Sequence, residues 1–222
     1  MCGRFCLTTP LPLLSSRLGA PLPAGLAEHY APRSDVRPGE PVLALRQEHG
    51  LPSVSLMLWG LVPEWVKDPS QARRPINARS ETVAEKPSFR GAWRHRRCLL
   101  PADGFYEWSG SGTARRRWRI GRKDGAPFWL GGLWDRWIGA DGSELESCCV
   151  LTTAPNALMA RLHDRMPVVV PDGLEQAWMA SADGPALRAL EPLMAGWDPA
   201  GWEAVPLEGP AGDPGGQLHL AL

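Results

Sequence analysis

The stretch CLLPADGFYEW, residues 98–108, carries two strand-like runs, 98–100 and 105–108, on either side of a Pro-Ala-Asp-Gly break. Five more runs of this kind lie at 42–45, 54–59, 118–120, 128–133 and 148–153, with Gly, Pro or Asp clusters between them. Short strands at such spacing pair antiparallel and predict a sheet that curls toward a barrel. Helical stretches are fewer and short: 11–18, 88–94, 155–162 with Pro at an early position, 174–179 and 186–194. The expected fold class is α+β, a single domain with a curled, largely antiparallel, barrel-like sheet flanked by short helices. No internal repeat is visible.

Composition agrees with one domain. Of 222 residues, 44% are hydrophobic and 11 are tryptophan, enough to fill a sizeable core. The domain is expected over 1–208, followed by a loosely held tail, GPAGDPGGQLHLAL, at 209–222. The longest apolar runs are too short and too interrupted to span a bilayer, so no membrane partner is expected. The opening MCGRFCLTTP lacks the basic-then-apolar pattern of a signal peptide, and five cysteines form no even disulfide framework. A reducing, cytoplasmic setting and a monomer are expected. Cys2 and Cys6 stand alone as C-x-x-x-C, so neither a metal site nor a cofactor is expected.

The formal net charge of zero conceals an asymmetry. Residues 73–123 hold fourteen Lys or Arg against four acids, a net of +10, while residues 171–222 hold eight acids against Arg188, a net of −7. The two segments are expected to form surfaces of opposite sign. The basic one is interleaved with Trp93, Phe105, Trp108 and Trp118, which suits a phosphate backbone with unstacked bases on aromatic faces. Solvated arginine-rich strands over a core of aromatics are the competing reading.

Cys2 follows the initiator methionine, so removal of Met1 leaves an amine and a thiol on adjacent carbons. Such a 1,2-aminothiol takes an aldehyde twice: the amine condenses to an imine, then sulfur adds to the same carbon and closes a thiazolidine. Both nucleophiles have usable acidity, near ~8 for a terminal amine and ~8.5 for a thiol.

The segments MCGRF, WGLVPEW at 59–65, INARSET at 76–82, CLLPADGFYEW at 98–108 and TTAPNALMARLHDRMPVVV at 152–170 together resemble the SOS-response-associated peptidase family. That resemblance implies a shield for abasic sites: a protein that binds single-stranded DNA and crosslinks the aldehyde of an abasic deoxyribose as a thiazolidine. It implies maturation by methionine aminopeptidase and association with the nucleoid when DNA is bound. By motif match, Cys2 supplies amine and sulfur, and Glu107 of GFYEW is the acid/base carboxylate. His163 of RLHDRMP assists imine chemistry and reversal. Asn77, one of two asparagines in the chain, hydrogen-bonds at the cysteine and the opened sugar. Arg4 and Arg79 are expected at phosphates, Trp65 and Trp108 along the DNA, and Thr152 or Thr153 at the backbone. Arg79 shares a face with Asn77 if that segment is extended.

The chain departs from the family pattern in three places. Asp35 stands where asparagine is common and Arg37 where a small residue is common. The segment SGSGTARRRWRI is unusually basic, and it either strengthens phosphate binding or balances the acidic C-terminal third. The C-terminus lacks a valine–asparagine pattern, which implies that tail replaces the last strand. Two other classes compete: an N-terminal-nucleophile thiol hydrolase, amidotransferase or self-cleaving peptidase using Cys2, and a noncatalytic DNA-binding module. The amidotransferase reading lacks its usual Asn-Gly element, since Asn77 and Asn156 both precede alanine.

Overall fold

The computed structural model describes residues 2–112 and 115–207. Met1, the tail expected at 209–222 and two residues of the basic segment lie outside them. Thirteen strands follow in order: β1 Phe5–Leu7, β2 Arg33–Val36, β3 Pro41–Glu48, β4 Leu51–Trp59, β5 Asn77–Arg79, β6 Arg97–Ala102, β7 Gly104–Ser109, β8 Arg116–Arg122, β9 Phe128–Ile138, β10 Glu144–Thr153, β11 Met166–Pro167, β12 Val169–Val170 and β13 Trp202–Leu207. All seven expected strands are present, most of them longer than expected. The short strands β1, β2, β5, β11 and β12 have too few residues to show a period of two in sequence.

Five strands close on themselves. β10 pairs with β9, β9 with β6, β6 with β3 and β3 with β4, all antiparallel, and β4 returns to β10 in parallel. Alternation along each strand then divides side chains between two faces. Val42, Ala44, Met57, Trp59, Cys98, Leu100, Leu130, Cys148 and Val150 come from all five strands and form one cluster, as a barrel interior requires. Their neighbours Leu43, Leu45, Leu99, Leu133 and Leu151 belong to a second cluster, which is covered by Trp93 and Trp178. A second, open sheet runs β13-β8-β7-β1-β2.

The two sheets meet inside the decisive stretch. Pro101 is a ladder residue of β6 opposite Trp129, so the break between the runs is Asp103 alone. At this residue the chain leaves the barrel and enters the open sheet, and consecutive strands β6 and β7 do not pair with each other. The Asp103 carboxylate accepts from the backbone N–H groups of Thr8 and Thr9 and from both threonine hydroxyls. Its own N–H donates to the Cys6 carbonyl at 2.8 Å. Gly104 follows because a Cβ there would sit 3.1 Å from the Ile120 carbonyl and 3.0 Å from Arg119 Nε.

Helices cover the barrel's outer face, and one buried cation ties two of them down. Arg97 donates to the carbonyls of Trp93 and Arg94 in the helix Arg90–His95, and to those of Trp178 and Ala180 at the end of the helix Glu175–Met179. These are helix-terminal carbonyls without intrahelical partners, and a cation there is favourable. Burial lowers the Arg97 pKa to about 10, so it stays charged at neutral pH.

Three expectations need correction. The helix expected over 155–162 is a turn ending in one 3₁₀ stretch, Met159–Arg161, because Asn156 Oδ1 accepts from the N–H groups of Leu158 and Met159 and favours a capped turn. The helix expected over 186–194 is split into Gly184–Arg188 and a 3₁₀ turn Glu191–Met194, with Pro192 at the split. The last strand is not replaced by tail: β13 pairs with β8 from Trp202↔Arg122 to Leu207↔Arg117. That pairing, with the Arg122–Asp172 contact at 3.4 Å, brings acidic C-terminal chain against the basic segment and partly neutralises it.

Asp103→Ala is expected to cost about 3 kcal/mol, since it strands several donors at once, and to lower the Tm by about 6–12 °C. Thermal unfolding followed by circular dichroism checks this. A loss under about 1 kcal/mol would mean that ladder pairing alone holds the corner.

Candidate functional site

Strand register brings the first candidates together. β1 and β7 pair antiparallel with Phe5↔Phe105 and Cys6↔Gly104, and the Tyr106 N–H donates to the Arg4 carbonyl at 2.9 Å. Continuing that register sets Gly3 beside Glu107 and brings Cys2 to the same end. From the barrel side, β5 pairs in parallel with β10, Asn77 lying against Val150. Asn77 Nδ2 donates to the Cys2 carbonyl at 3.0 Å, while its Oδ1 is buried without a hydrogen-bond partner among the described residues.

Cys2 is 0% exposed and belongs to the cluster that fills the barrel interior. Burial pushes its thiol pKa well up, and the nearby Glu107 carboxylate pushes it further. Glu107 is itself 2% exposed; burial raises its pKa, and the His163 imidazole works in the opposite sense. Four residues from separate segments, Cys2, Asn77, Glu107 and His163, thus meet, linked by one hydrogen bond and two electrostatic couplings.

His163 follows the 3₁₀ turn, and its N–H donates to the Met159 carbonyl at 2.9 Å. Its Nδ1 has two neighbours of opposite kind. The Arg165 N–H donates to it at 3.0 Å, which suits a neutral ring protonated on Nε2, and Asp164 Oδ1 lies at 2.7 Å, which suits an imidazolium.

The expected DNA-facing residues fare differently. Asn77 and Arg79 lie on one face of the extended β5, with Ala78 buried on the other, and Arg79 is exposed with no ion pair among the described residues. Arg4 is ion-paired to Asp35 at 3.0 Å, and its guanidinium lies 5.8 Å from the centre of the Trp108 ring. Trp108 is half-buried, and Arg115 also approaches its ring, at 5.4 Å. Thr152 is buried, and its hydroxyl donates to the Ala78 carbonyl at 3.5 Å; Thr153 is 6% exposed. Trp65 stands apart at 61% exposure, walling two adjoining clefts that include Arg90 and Arg94 in one and Lys67 and Arg73 in the other. Neither cleft shares a residue with the Cys2 group.

Sequence reasoning did not single out Arg165, although it lies within the HDRMP segment. It pairs in bidentate fashion with Glu81 at 2.7 and 2.8 Å and donates to the Thr152 carbonyl at 2.6 Å, fastening the His163 loop to β10. Among the described residues no group of three or more His, Cys, Asp or Glu is arranged to hold a metal, and no helix is long and apolar enough to cross a membrane.

Comparisons with known proteins identify the family. The family model described as SOS response associated peptidase (SRAP) matches residues 1–208. The abasic site processing protein YoqW of Bacillus subtilis is 37% identical over 182 residues, covering 81% of this chain and 80% of its own. YedK of Escherichia coli, also described as an abasic site processing protein, is 30% identical over 187 residues, with 81% and 79% covered. A crystal structure of a protein from Bacteroides thetaiotaomicron superposes with a TM-score of 0.84 at 25% identity over 93% of this chain and 92% of that one.

The raised Glu107 pKa carries a stability consequence of defined sign. A carboxyl whose folded pKa lies above its unfolded value stabilises fully below the unfolded pKa, and that contribution is lost as pH rises through the folded pKa. Glu107→Gln, neutral at every pH, is therefore expected to raise the Tm at pH 7 and to change it little below about pH 4. Thermal melts of both proteins across that range check this, and a lower Tm at pH 7 would reverse the assignment.

Proposed function

The chain belongs to the SOS response associated peptidase family, and on that premise we propose that it is an abasic-site sensor. In this reading it binds single-stranded DNA and, once methionine aminopeptidase has removed Met1, joins Cys2 to the lesion aldehyde as a thiazolidine. The observation that carries the reading is the meeting of Cys2, Asn77, Glu107 and His163 at one end of the barrel. The relatives named as abasic site processing proteins supply the lesion.

The chemistry uses each group for one task. The Cys2 amine adds to the open-chain aldehyde of the sugar, giving a carbinolamine. Loss of its hydroxyl as water needs an acid, and Glu107, whose pKa burial raises, donates that proton from its neutral form and becomes a carboxylate. The iminium so formed is then attacked by sulfur. A thiol buried this deeply does not ionise by itself, so the S–H proton passes to the Glu107 carboxylate as the C–S bond forms, which restores the carboxylic acid while nitrogen takes the C=N electron pair. One aldehyde and one aminothiol thus yield one thiazolidine and one water. Asn77 holds the Cys2 carbonyl and offers Oδ1 to a donor on the opened sugar. His163 protonates the linkage when it reopens, which makes the crosslink reversible.

Arg79 is the cation placed to meet a phosphate beside the lesion, and Trp108 with Arg115 gives a base a face to stack on. Trp65 extends the contact along the strand, and Thr152 or Thr153 contributes a backbone contact. The protein works in the cytoplasm, on the nucleoid when DNA is bound. A thiol hydrolase or peptidase is less well supported, because attack on an amide calls for a thiolate and burial holds the Cys2 thiol protonated.

Incubation of Met1-processed protein with single-stranded DNA carrying one abasic site, read by denaturing electrophoresis and intact mass, tests the reading. Wild type is expected to give a DNA-linked species with the mass of a thiazolidine. Cys2→Ala should leave only an imine that needs borohydride to survive. Glu107→Gln should slow formation by about 10² with little change in DNA affinity. His163→Ala should form the link at near-normal yield and release it more slowly to excess competing abasic DNA. A full, reduction-independent crosslink from Cys2→Ala would remove the mechanism.

A further inference from the structure

Asp35 on β2 lies between two arginines. Arg4 Nη1 reaches Asp35 Oδ2 at 3.0 Å, and Arg37 Nε reaches the same oxygen at 2.8 Å. The side chain of Asp35 is 15% exposed, whereas those of Arg4 and Arg37 are 28% and 36% exposed. The carboxylate therefore sits beneath two guanidiniums that reach solvent. Arg4 also lies against Trp108, two residues along the chain from Cys2. Nothing in the reaction proposed above uses Asp35.

We propose that Asp35 is a built-in competitor for phosphate, which masks Arg4, weakens the hold on undamaged single strands and so sets the discrimination between abasic and intact DNA. The inference rests on the single-strand binding proposed above. A guanidinium binds a phosphate through the same fork of N–H donors that it offers a carboxylate. An incoming phosphate must therefore displace Asp35 from Arg4 or accept fewer donors, and either way it meets a fixed negative charge. With Asp35 the trio carries a net charge of +1; without its carboxylate it carries +2. A lesion is retained by a covalent bond whatever this noncovalent term is, whereas an intact strand has only the noncovalent term. A weakened electrostatic hold thus lowers occupancy on intact DNA far more than at an abasic site. Glu40 acts alongside, accepting from the Arg37 N–H at 2.9 Å and pairing with Arg33, so the neighbouring cations are also partly neutralised.

Asp35→Asn keeps the shape and removes the charge. Binding of a short undamaged single strand by the Met1-processed protein is expected to tighten roughly three- to tenfold at low salt, with a log-log salt slope steeper by about 0.7, the value for one more phosphate neutralised on a single strand. In the crosslinking reaction, intact competitor should then inhibit the variant at a several-fold lower concentration than it inhibits wild type. Arg4→Gln should abolish the gain in the Asp35→Asn background, since the two residues are coupled. Unchanged or weaker binding by Asp35→Asn would overturn the inference, as would a gain that survives Arg4→Gln. If neither protein bound single strands at all, the reading of the site as a single-strand binder would fall as well; binding without a gain removes this inference alone.

Discussion

Four donors from Thr8 and Thr9 converge on the carboxylate of Asp103, the one residue between a barrel strand and a strand of the open sheet. That arrangement pins the end of β1 to the start of β7 and thereby sets their register. A one-residue slip would turn every side chain of β1 to the opposite face. Glu107 would then lose its place beside the N-terminal segment, and Cys2 its place at the end of the barrel. The grouping of Cys2, Asn77, Glu107 and His163 is in this sense a consequence of a corner several residues away from it.

The molecule treats its buried charges in two ways. Arg97 is buried where four helix-terminal carbonyls surround it, so its charge is solvated by the protein and fastens two helices to the barrel. Glu107 is buried where solvation is poor enough to raise its pKa, and the cost of ionising it is borne by the fold. The first arrangement contributes stability, and the second costs it whenever the carboxyl ionises.

Charge distribution along the sequence does not map simply onto the surface. The acidic C-terminal third and the basic middle were expected to form surfaces of opposite sign, yet β13 is the edge partner of the arginine-rich β8, and Asp172 reaches both Arg17 and Arg122. The cations left exposed without ion pairs, Arg79 among them, are the ones with electrostatic reach toward an anionic strand.

The seven apolar, strand-like runs, and the Gly, Pro and Asp clusters between them, determined that the chain is a strand-rich α+β domain, because composition and turn punctuation are local properties that survive without tertiary context. The aminothiol at Cys2 and the motifs holding Asn77, Glu107 and His163 were likewise legible, since each is a matter of residue identity. What only the tertiary structure decided is non-local. It decided the closure of the barrel through β10 and β9, the corner at Asp103, the loss of the helix over 155–162 to the Asn156 cap, and the survival of β13 as a strand. It also decided that Arg4 is engaged by Asp35, thirty-one residues away, and that Trp65 lies apart from Cys2. Pairing between distant segments depends on which strand edges and side chains remain unsatisfied once the rest has folded, and no local pattern records that.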